Sequence, residues 1–378
     1  MSSIYINSLI DFLEGLPFPV LAAIFFGSLI LLLCSFILIR QNTLRQREAK
    51  LSRWTFIIDH IIRDAIFFEG TEDKDPVSDA LHIIEANKPN IPERLKRLLP
   101  DRHFRLILTG KLVRAKRNMS GAASENLTQL FRQLKLDKRA LMMLDDSSWY
   151  MQALAIQQLS IMELSEYKEK VFEYINHKRA LVRIEAQNAV LKFYGFEGLR
   201  FMDQVSYPIT EWQQIKLLDE LSHLPPENFT GFDIWLNSGN VSVVIFALKL
   251  VRIYQRFEPY DQVLGCLKHA DPEVRRQAIH VLQDLPNDQT ASVLITIFPN
   301  ETPRNRIAIL RVLESVSTGS DISFLLGLLD DSSNEIKVSS ARTLASLGKD
   351  GMEALQLHRL ANEYPLNQII AQIREERI

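Results

Sequence analysis

Eight histidines, two cysteines and 46 acidic residues are the side chains with which this 378-residue chain could hold a metal or move a proton. His60, His82, His103, His177, His223, His269, His280 and His358 are scattered, and none is followed by glutamate. No HExxH and no glycine-rich phosphate loop occurs, so zinc hydrolysis and nucleotide chemistry lack their usual spacing. Two cysteines, Cys34 and Cys266, exclude a disulfide framework and a cysteine-based zinc cluster. Neither has a local basic neighbourhood that would favour a thiolate. Asp145 and Asp146, and Asp330 and Asp331, are adjacent acids between helical stretches, where Asp more often caps the next helix than does acid chemistry. His280 falls on a helix ridge, where it reads as a surface side chain. The expectation is no catalytic, metal or cofactor site, and therefore a binding protein rather than an enzyme.

The elements that must position any site start with one apolar segment. Leu16 to Ile39 is free of charge and long enough to cross the hydrocarbon core, which needs about 20 residues. The preceding stretch holds Asp11 and Glu14 and no Lys or Arg, unlike the basic start of a cleaved signal peptide. Cys34 follows three leucines deep in the segment, which also argues against a lipoprotein signal; it reads as a lipid-facing or packing residue. Pro17 and Pro19 lie in a first helical turn, where proline forfeits no intrahelical hydrogen bond. Arg40, Arg45, Arg47 and Lys50 follow at once, so the positive-inside rule predicts a single-pass membrane protein with residues 1–15 outside and 40–378 in the cytoplasm.

The rest of the chain is ordinary and globular in composition, 47% hydrophobic and 24% charged, with a net charge of −2 that argues against a protein built to coat nucleic acid. It is also repetitive. From Glu273, the residues Val274, Arg275, Ala278, Ile279, Val281, Leu282 and Leu285 trace one amphipathic helix. Similar offsets recur from Ile336 (Lys337, Ser340, Ala341, Leu344, Leu347, with Gly348 where a left-handed cap is wanted) and from Val182 (Arg183, Ala186, Ala189, Val190, Phe193). Weaker copies place Ala153, Ile215, Ala247 and Ala308 at the small-residue position, giving seven copies with a period near 31. A shorter apolar stretch separates each pair, for example Gln262–Leu267 or Ile322–Leu329. One helix-turn-helix unit cannot bury both faces, so the units must stack into a continuous core. The polar end at Asn367–Ile378 reads as the cap of that stack.

These residues resemble the HEAT-repeat family, in the short bacterial form (PBS-lyase type) whose second helix reads Asp-Pro-x-Val-Arg-x-x-Ala. Asp271, Pro272, Val274, Arg275 and Ala278 match it in full; Asp331, Ile336, Lys337, Ala341, Leu344 and Gly348 match it well. The resemblance covers about Ser120 to Ile378 and implies an all-α, right-handed, armadillo-like solenoid of about seven helical hairpins. With the anchor and the segments Gly195–Phe201 and Glu211–Leu218, the chain also looks like membrane-anchored HEAT proteins of the Bacteroidetes type, which implies a bacterial inner membrane. In such repeats Asp271 and Arg275 are expected to pair across the stack. Trp149 and Trp212 are expected to pack between repeats, and Gly195 and Gly198 to serve as a cap and a turn. The His-Glu pairs by which HEAT-type hydroxylases hold iron are missing.

Residues 41–118 do not follow the period. Leu51–Phe68 reads as an amphipathic helix with Trp54, Ile57, Ile58, Ile61, Ile62, Ala65 and Phe68 on one face. Breaks are expected at Gly70–Pro76 and Asn87–Pro92. Residues 40–118 carry 17 basic against 11 acidic side chains, a net of +6, whereas 119–378 carry a net of −6. A basic region beside a bilayer feels the anionic leaflet; Arg40, Arg45, Arg47, Lys50, Arg94, Lys96, Arg97, Arg102 and Arg105 are the membrane-surface candidates. The alternative is that these charges are solvated helix faces whose apolar sides join the core. The domain expectation is thus a short extracytoplasmic terminus (1–15), a transmembrane helix (16–39), a basic membrane-proximal helical region (40–118) and a repeat solenoid (119–378). The function expected is a membrane-anchored scaffold for a protein partner, with no cofactor; a membrane glycosyltransferase or a secretion component is a partner suggested by analogy. The alternatives are a HEAT-type enzyme of the bilin-lyase or hydroxylase kind, or nucleic-acid binding through the basic segment. Oligomeric state is left open.

Overall fold

The computed structural model describes residues 17–67, 92–224, 230–285, 287–358, 361 and 363–375. The expected extracytoplasmic terminus, the breaks at 70–76 and 87–91, His82, Phe68 and the last three residues of the polar cap lie outside them. No strand occurs among the described residues. The chain divides into two compact units, Met1–Met142 and Met143–Ile378.

The first unit is built on α1, Phe18–Ile66. The apolar segment and the amphipathic stretch expected at Leu51–Phe68 run as one helix. Its N-terminal part is exposed and apolar; its C-terminal part buries Trp54, Ile58, Ile61, Ile62 and Ala65. That face packs on α3 (Arg102–Arg117) and α4 (Gly121–Gln133), after a short α2 (Glu93–Leu98). Phe104, Leu108, Leu112, Leu127, Leu130 and Phe131 complete the core, and Trp54 meets Phe104 edge-on at 5.5 Å. Lys111 reaches back to Asp59 on α1 at 2.6 Å. α5, Leu136–Leu144, contains the point of division.

The second unit alternates short and long helices. The long ones are α6 (Trp149–Ile161), α8 (Ala180–Tyr194), α9 (Glu211–Ser222), α11 (Val241–Ile253), α13 (Pro272–Asp284), α15 (Pro303–Val316) and α17 (Asn334–Ser346). Between them lie α7 (Lys168–Phe172), a 3-10 segment at Gly195–Asp203, α10 (Phe232–Trp235), α12 (Tyr260–Cys266), α14 (Thr290–Ile297) and α16 (Ile322–Gly327). α18 (Lys349–Leu357) and α19 (Leu366–Glu375) close the series. α8 packs on α6, α13 on α11, α15 on α13 and α17 on α15, the sequential stacking of a helical solenoid.

The starts of the long helices show why the chain folds this way. Their N-cap positions are 148, 179, 210, 240, 271, 302 and 333. Thr210, Asn240, Asp271, Thr302 and Ser333 each accept a backbone N–H with the side chain, satisfying a donor that the helix leaves open. Seven residues beyond each cap stand Ala155, Ala186, Leu217, Ala247, Ala278, Ile309 and Ser340, all fully buried. This corrects the anchors expected at Ala153, Ile215 and Ala308. Ile215 is 52% exposed. The repeat is phased by where the turn lets the next helix begin, and residues one or two positions away mimic that phase.

Candidate functional site

The residue four positions beyond the cap performs a recurring task. Arg183 Nη1 donates to the carbonyls of His177 and Lys178, Arg275 Nη1 to those of His269 and Ala270, and Arg306 to those of Phe298 and Pro299. Gln152 and Gln214 do the same to Asp146 and Ile209. Each ties the second helix to carbonyls of the turn before it, which lack intrahelical partners. In the first unit Asp101 caps α3, Arg105 Nη1 donates to Leu99 O and Pro100 O, and Leu108 is buried. The α2–α3 hairpin therefore shares the repeat's internal arrangement although it stands off the period.

Contacts between repeats are made by other residues than expected. Arg275 does reach the next unit, but its partner is Glu301, at 2.6 Å from Nε and 3.1 Å from Nη2; Asp271 stays on its own helix as the cap. Glu301 is only 4% exposed and Arg275 16%, and Glu301 also accepts from Asn305 Nδ2 at 2.8 Å. Its hydrogen bond to the Glu301 carboxylate holds the Arg275 guanidinium above its ordinary pKa. Buried amides and hydroxyls continue the ladder: Gln213 donates to Gln187, Asn305 to Pro272 O and Thr343 to Leu310 O.

With one face of each long helix in the core, the other faces of α9, α11, α13 and α15 line an open groove of about 1210 Å³. Its wall holds Glu211, Gln214, Ser242, Lys249, Arg252, Glu273, Arg276, Gln277, His280, Asp284 and Arg304, with Ile209, Ile245 and Ile253. Arg252 Nε donates to Asp284 at 2.6 Å, Arg276 pairs with Glu273, and Lys249 Nζ donates to Gln214 at 2.9 Å. Burial first, then the charges of Arg252, Arg276 and Arg311, push His280 below its ordinary pKa, against a smaller opposing effect of Glu273. Burial works to raise Glu273, but hydrogen bonds from Arg276 and Gln277 and the charges of Arg276 and Arg304 outweigh it and hold the carboxyl low. The groove thus offers guanidinium forks and amides beside apolar patches, equipment for binding an extended ligand. A second cavity, of about 470 Å³, lies beside Tyr194, whose hydroxyl donates to Glu169 at 2.7 Å.

The structure sorts the remaining expected residues as follows. Arg40, Arg45, Arg47 and Lys50 are exposed on α1, directly after the apolar stretch. Lys96 is exposed and paired with Glu93, and Arg97 and Arg102 are exposed. Arg94 lies in α2 with its side chain outside the described set. Arg105 is half-buried on the turn carbonyls, so its guanidinium has an internal task. Lys116, another of the basic run, is buried and donates to Ser124 O. Lys337 is half-buried on α17, and Ala186, Ala278 and Ala341 are in the core. Trp149 and Trp212, expected between repeats, are 40% and 63% exposed; the buried tryptophans are Trp54 and Trp235, the latter donating to Asp203 at 2.6 Å. Gly195 does cap α8, whereas Gly198 serves a close approach: a Cβ there would stand 2.8 Å from Val190 O. Cys266 is buried, which pushes its thiol up to about 11, and Cys34 is exposed on α1. Among the described residues no three His, Cys, Asp or Glu side chains are grouped as a metal would require. Glu301, Asn305, Gln187, Gln213 and the groove arginines escaped the sequence reading, since nothing local distinguishes a polar residue that faces a neighbouring repeat.

The fold and the groove define a class, the stacked helical-hairpin repeat proteins. Within it, residues 260–356 match the family described as HEAT repeats, and this part of the chain is a HEAT-repeat region. Among solved structures the chain is similar to Kap121p, with 12% identity and a TM-score of 0.49 over 83% of this chain; it spans 40% of that protein. No curated protein matches the chain.

Proposed function

We propose that the chain is a membrane-anchored, non-catalytic HEAT-repeat scaffold that binds a protein partner at the cytoplasmic face of a membrane. The observation that carries this reading is the groove along α9, α11, α13 and α15, an open surface to which four successive repeats contribute. α1 supports the anchor. Its uncharged part, Phe18–Ile39, is about 33 Å long at 1.5 Å per residue, enough to cross the hydrocarbon core. Phe25, Leu31, Leu32, Phe36 and Leu38 there are exposed, which a bilayer would relieve. Among the described residues one helix meets the length and composition needed, and the basic residues that follow it favour the cytoplasmic side for the repeats. Exposed Lys96, Arg97 and Arg102 add positive charge that an anionic leaflet attracts, by about 1 kcal/mol for each residue close to the surface. Tethering also raises the effective concentration toward a partner in the same membrane, such as a glycosyltransferase or a secretion component.

In-cell crosslinking, mild-detergent purification of the full-length chain and mass spectrometry test this reading. A protein recovered in near-stoichiometric amount with the full chain, and in reduced amount with an anchorless 41–378 form, is the expected result. Recovery of a metal, pigment or nucleotide with no protein would overturn it. Protease digestion of sealed inverted vesicles should remove a C-terminal tag; protection of the tag would reverse the orientation.

A further inference from the structure

The groove has a charge that the part of the chain around it does not share. Residues 119–378 carry a net of −6. Yet Lys249, Arg252, Arg276 and Arg304 line the groove, and Arg311 lies close enough to act on His280 in its wall. The opposing carboxylates are Glu211, Glu273 and Asp284. Two of these already hold Arg276 and Arg252. Arg304 and Arg311 are exposed, so donor capacity remains along the groove.

The groove is lined from four helices in succession, and so it crosses them. Packed helix axes stand about 8–10 Å apart, and an extended chain advances about 3.3 Å per residue, so one helix-to-helix step corresponds to about three residues. We propose that the groove receives an extended acidic segment of the partner protein, with carboxylates about three residues apart meeting the cations of α11, α13 and α15 in turn. This rests on the scaffold reading and adds the chemistry of the partner. Ile209, Ile245 and Ile253 suit the side chains between those carboxylates. The same lining argues against a nucleic acid, because no aromatic ring lines the wall for base stacking.

Fluorescence anisotropy with the full-length chain in detergent tests the proposal. The probes are a dye-labelled twelve-residue peptide with Glu at every third position among Ser, Gly and Leu, its Gln counterpart, a same-composition peptide with the Glu residues clustered, and a single-stranded thymidine oligonucleotide. The spaced Glu peptide should bind, with the Gln peptide weaker by at least about tenfold and the clustered one by about threefold or more. Arg304→Glu with Arg311→Glu, two exposed positions, should weaken the spaced peptide at least about tenfold while leaving the helical content unchanged. Equal binding of the Glu and Gln peptides, tighter binding of the oligonucleotide, or no effect of the double variant would overturn the proposal; equality of the spaced and clustered peptides would overturn the three-residue spacing. Crosslinking separates the two readings. A partner recovered equally with wild type and the double variant docks elsewhere, which sinks the acidic-segment proposal alone, whereas recovery of no partner with either chain sinks the scaffold.

Discussion

At Glu301 a buried carboxylate meets an arginine from the preceding repeat, an asparagine from its own and the backbone N–H of Thr302. Removing one partner of a buried ion pair leaves the other uncompensated, so Glu301→Ala should cost about 3 kcal/mol in urea unfolding. Asp271→Ala, which removes only a cap, should cost about 1 kcal/mol. Equal costs would mean that the pair does not join the repeats. His280 makes a pH prediction. Its folded pKa lies below its ordinary 6.5, through burial and through Arg252, Arg276 and Arg311, with Glu273 opposing. The unfolded chain therefore binds the proton more readily, and the stability present above pH 6.5 falls as pH drops through that value until the folded group also titrates. His177 is lowered in the same direction, chiefly by burial. His280→Gln should flatten part of the decline between pH 7 and pH 5.5 in urea midpoints, and an unchanged slope would remove His280 as its source. None of these roles is written in a local motif: Arg275 was legible as a repeat residue, but Glu301, which stands 26 positions away, was not.

At the scale of elements, the helix period was legible and helix contact was not. Gly348 shows a positive φ, as expected, but with ψ at −139° rather than in the left-handed helical region, because it also opens α18. Three residues on, Gly351 lets α18 approach α17 so closely that an added methyl would run into the carbonyl oxygen of Leu344. Gly351→Ala should therefore destabilise by about 1–3 kcal/mol, against a change within about 0.5 kcal/mol for Gly327→Ala, where a Cβ meets nothing within 4 Å and the helical site favours Ala. α1 supplies a chemical test. In sealed membranes a membrane-impermeant maleimide should spare both Cys34, inside the apolar stretch, and buried Cys266; once the protein is unfolded in denaturant, both should react. Rapid labelling of Cys34 in intact membranes would mean that this part of α1 lies in water.

At the scale of the molecule, α1 belongs to two settings. Its exposed part is apolar from Phe25 to Ile39, while its far end, from Trp54 to Ala65, is core of the first unit. A fragment of residues 41–378 keeps that core and should remain folded and largely helical by circular dichroism. A fragment of residues 68–378 lacks Trp54, Ile58, Ile61, Ile62 and Ala65. It would expose Phe104, Leu108 and Leu127 and should lose the unfolding transition of the first unit while keeping that of the second. If the two fragments melt alike, the packing of α1 contributes nothing to that unit.

The amino-acid sequence by itself determined what depends on neighbours along the chain: the uncharged segment, the basic residues after it, the apolar faces of the long helices and, from their recurrence, a stack of helical hairpins. Only the tertiary structure decided what depends on residues about one repeat apart. It moved the recurring fully buried position from Ala153, Ile215 and Ala308 to Ala155, Leu217 and Ile309, turned Trp149 and Trp212 outward, and gave Arg275 to Glu301. It also gathered five cations from three helices around one groove. The physical reason is that hydropathy and capping act within a turn or two of helix, where sequence order equals spatial order. Pairing between stacked repeats joins residues about 30 positions apart, and a face that is neither buried nor periodic leaves no trace in the pattern.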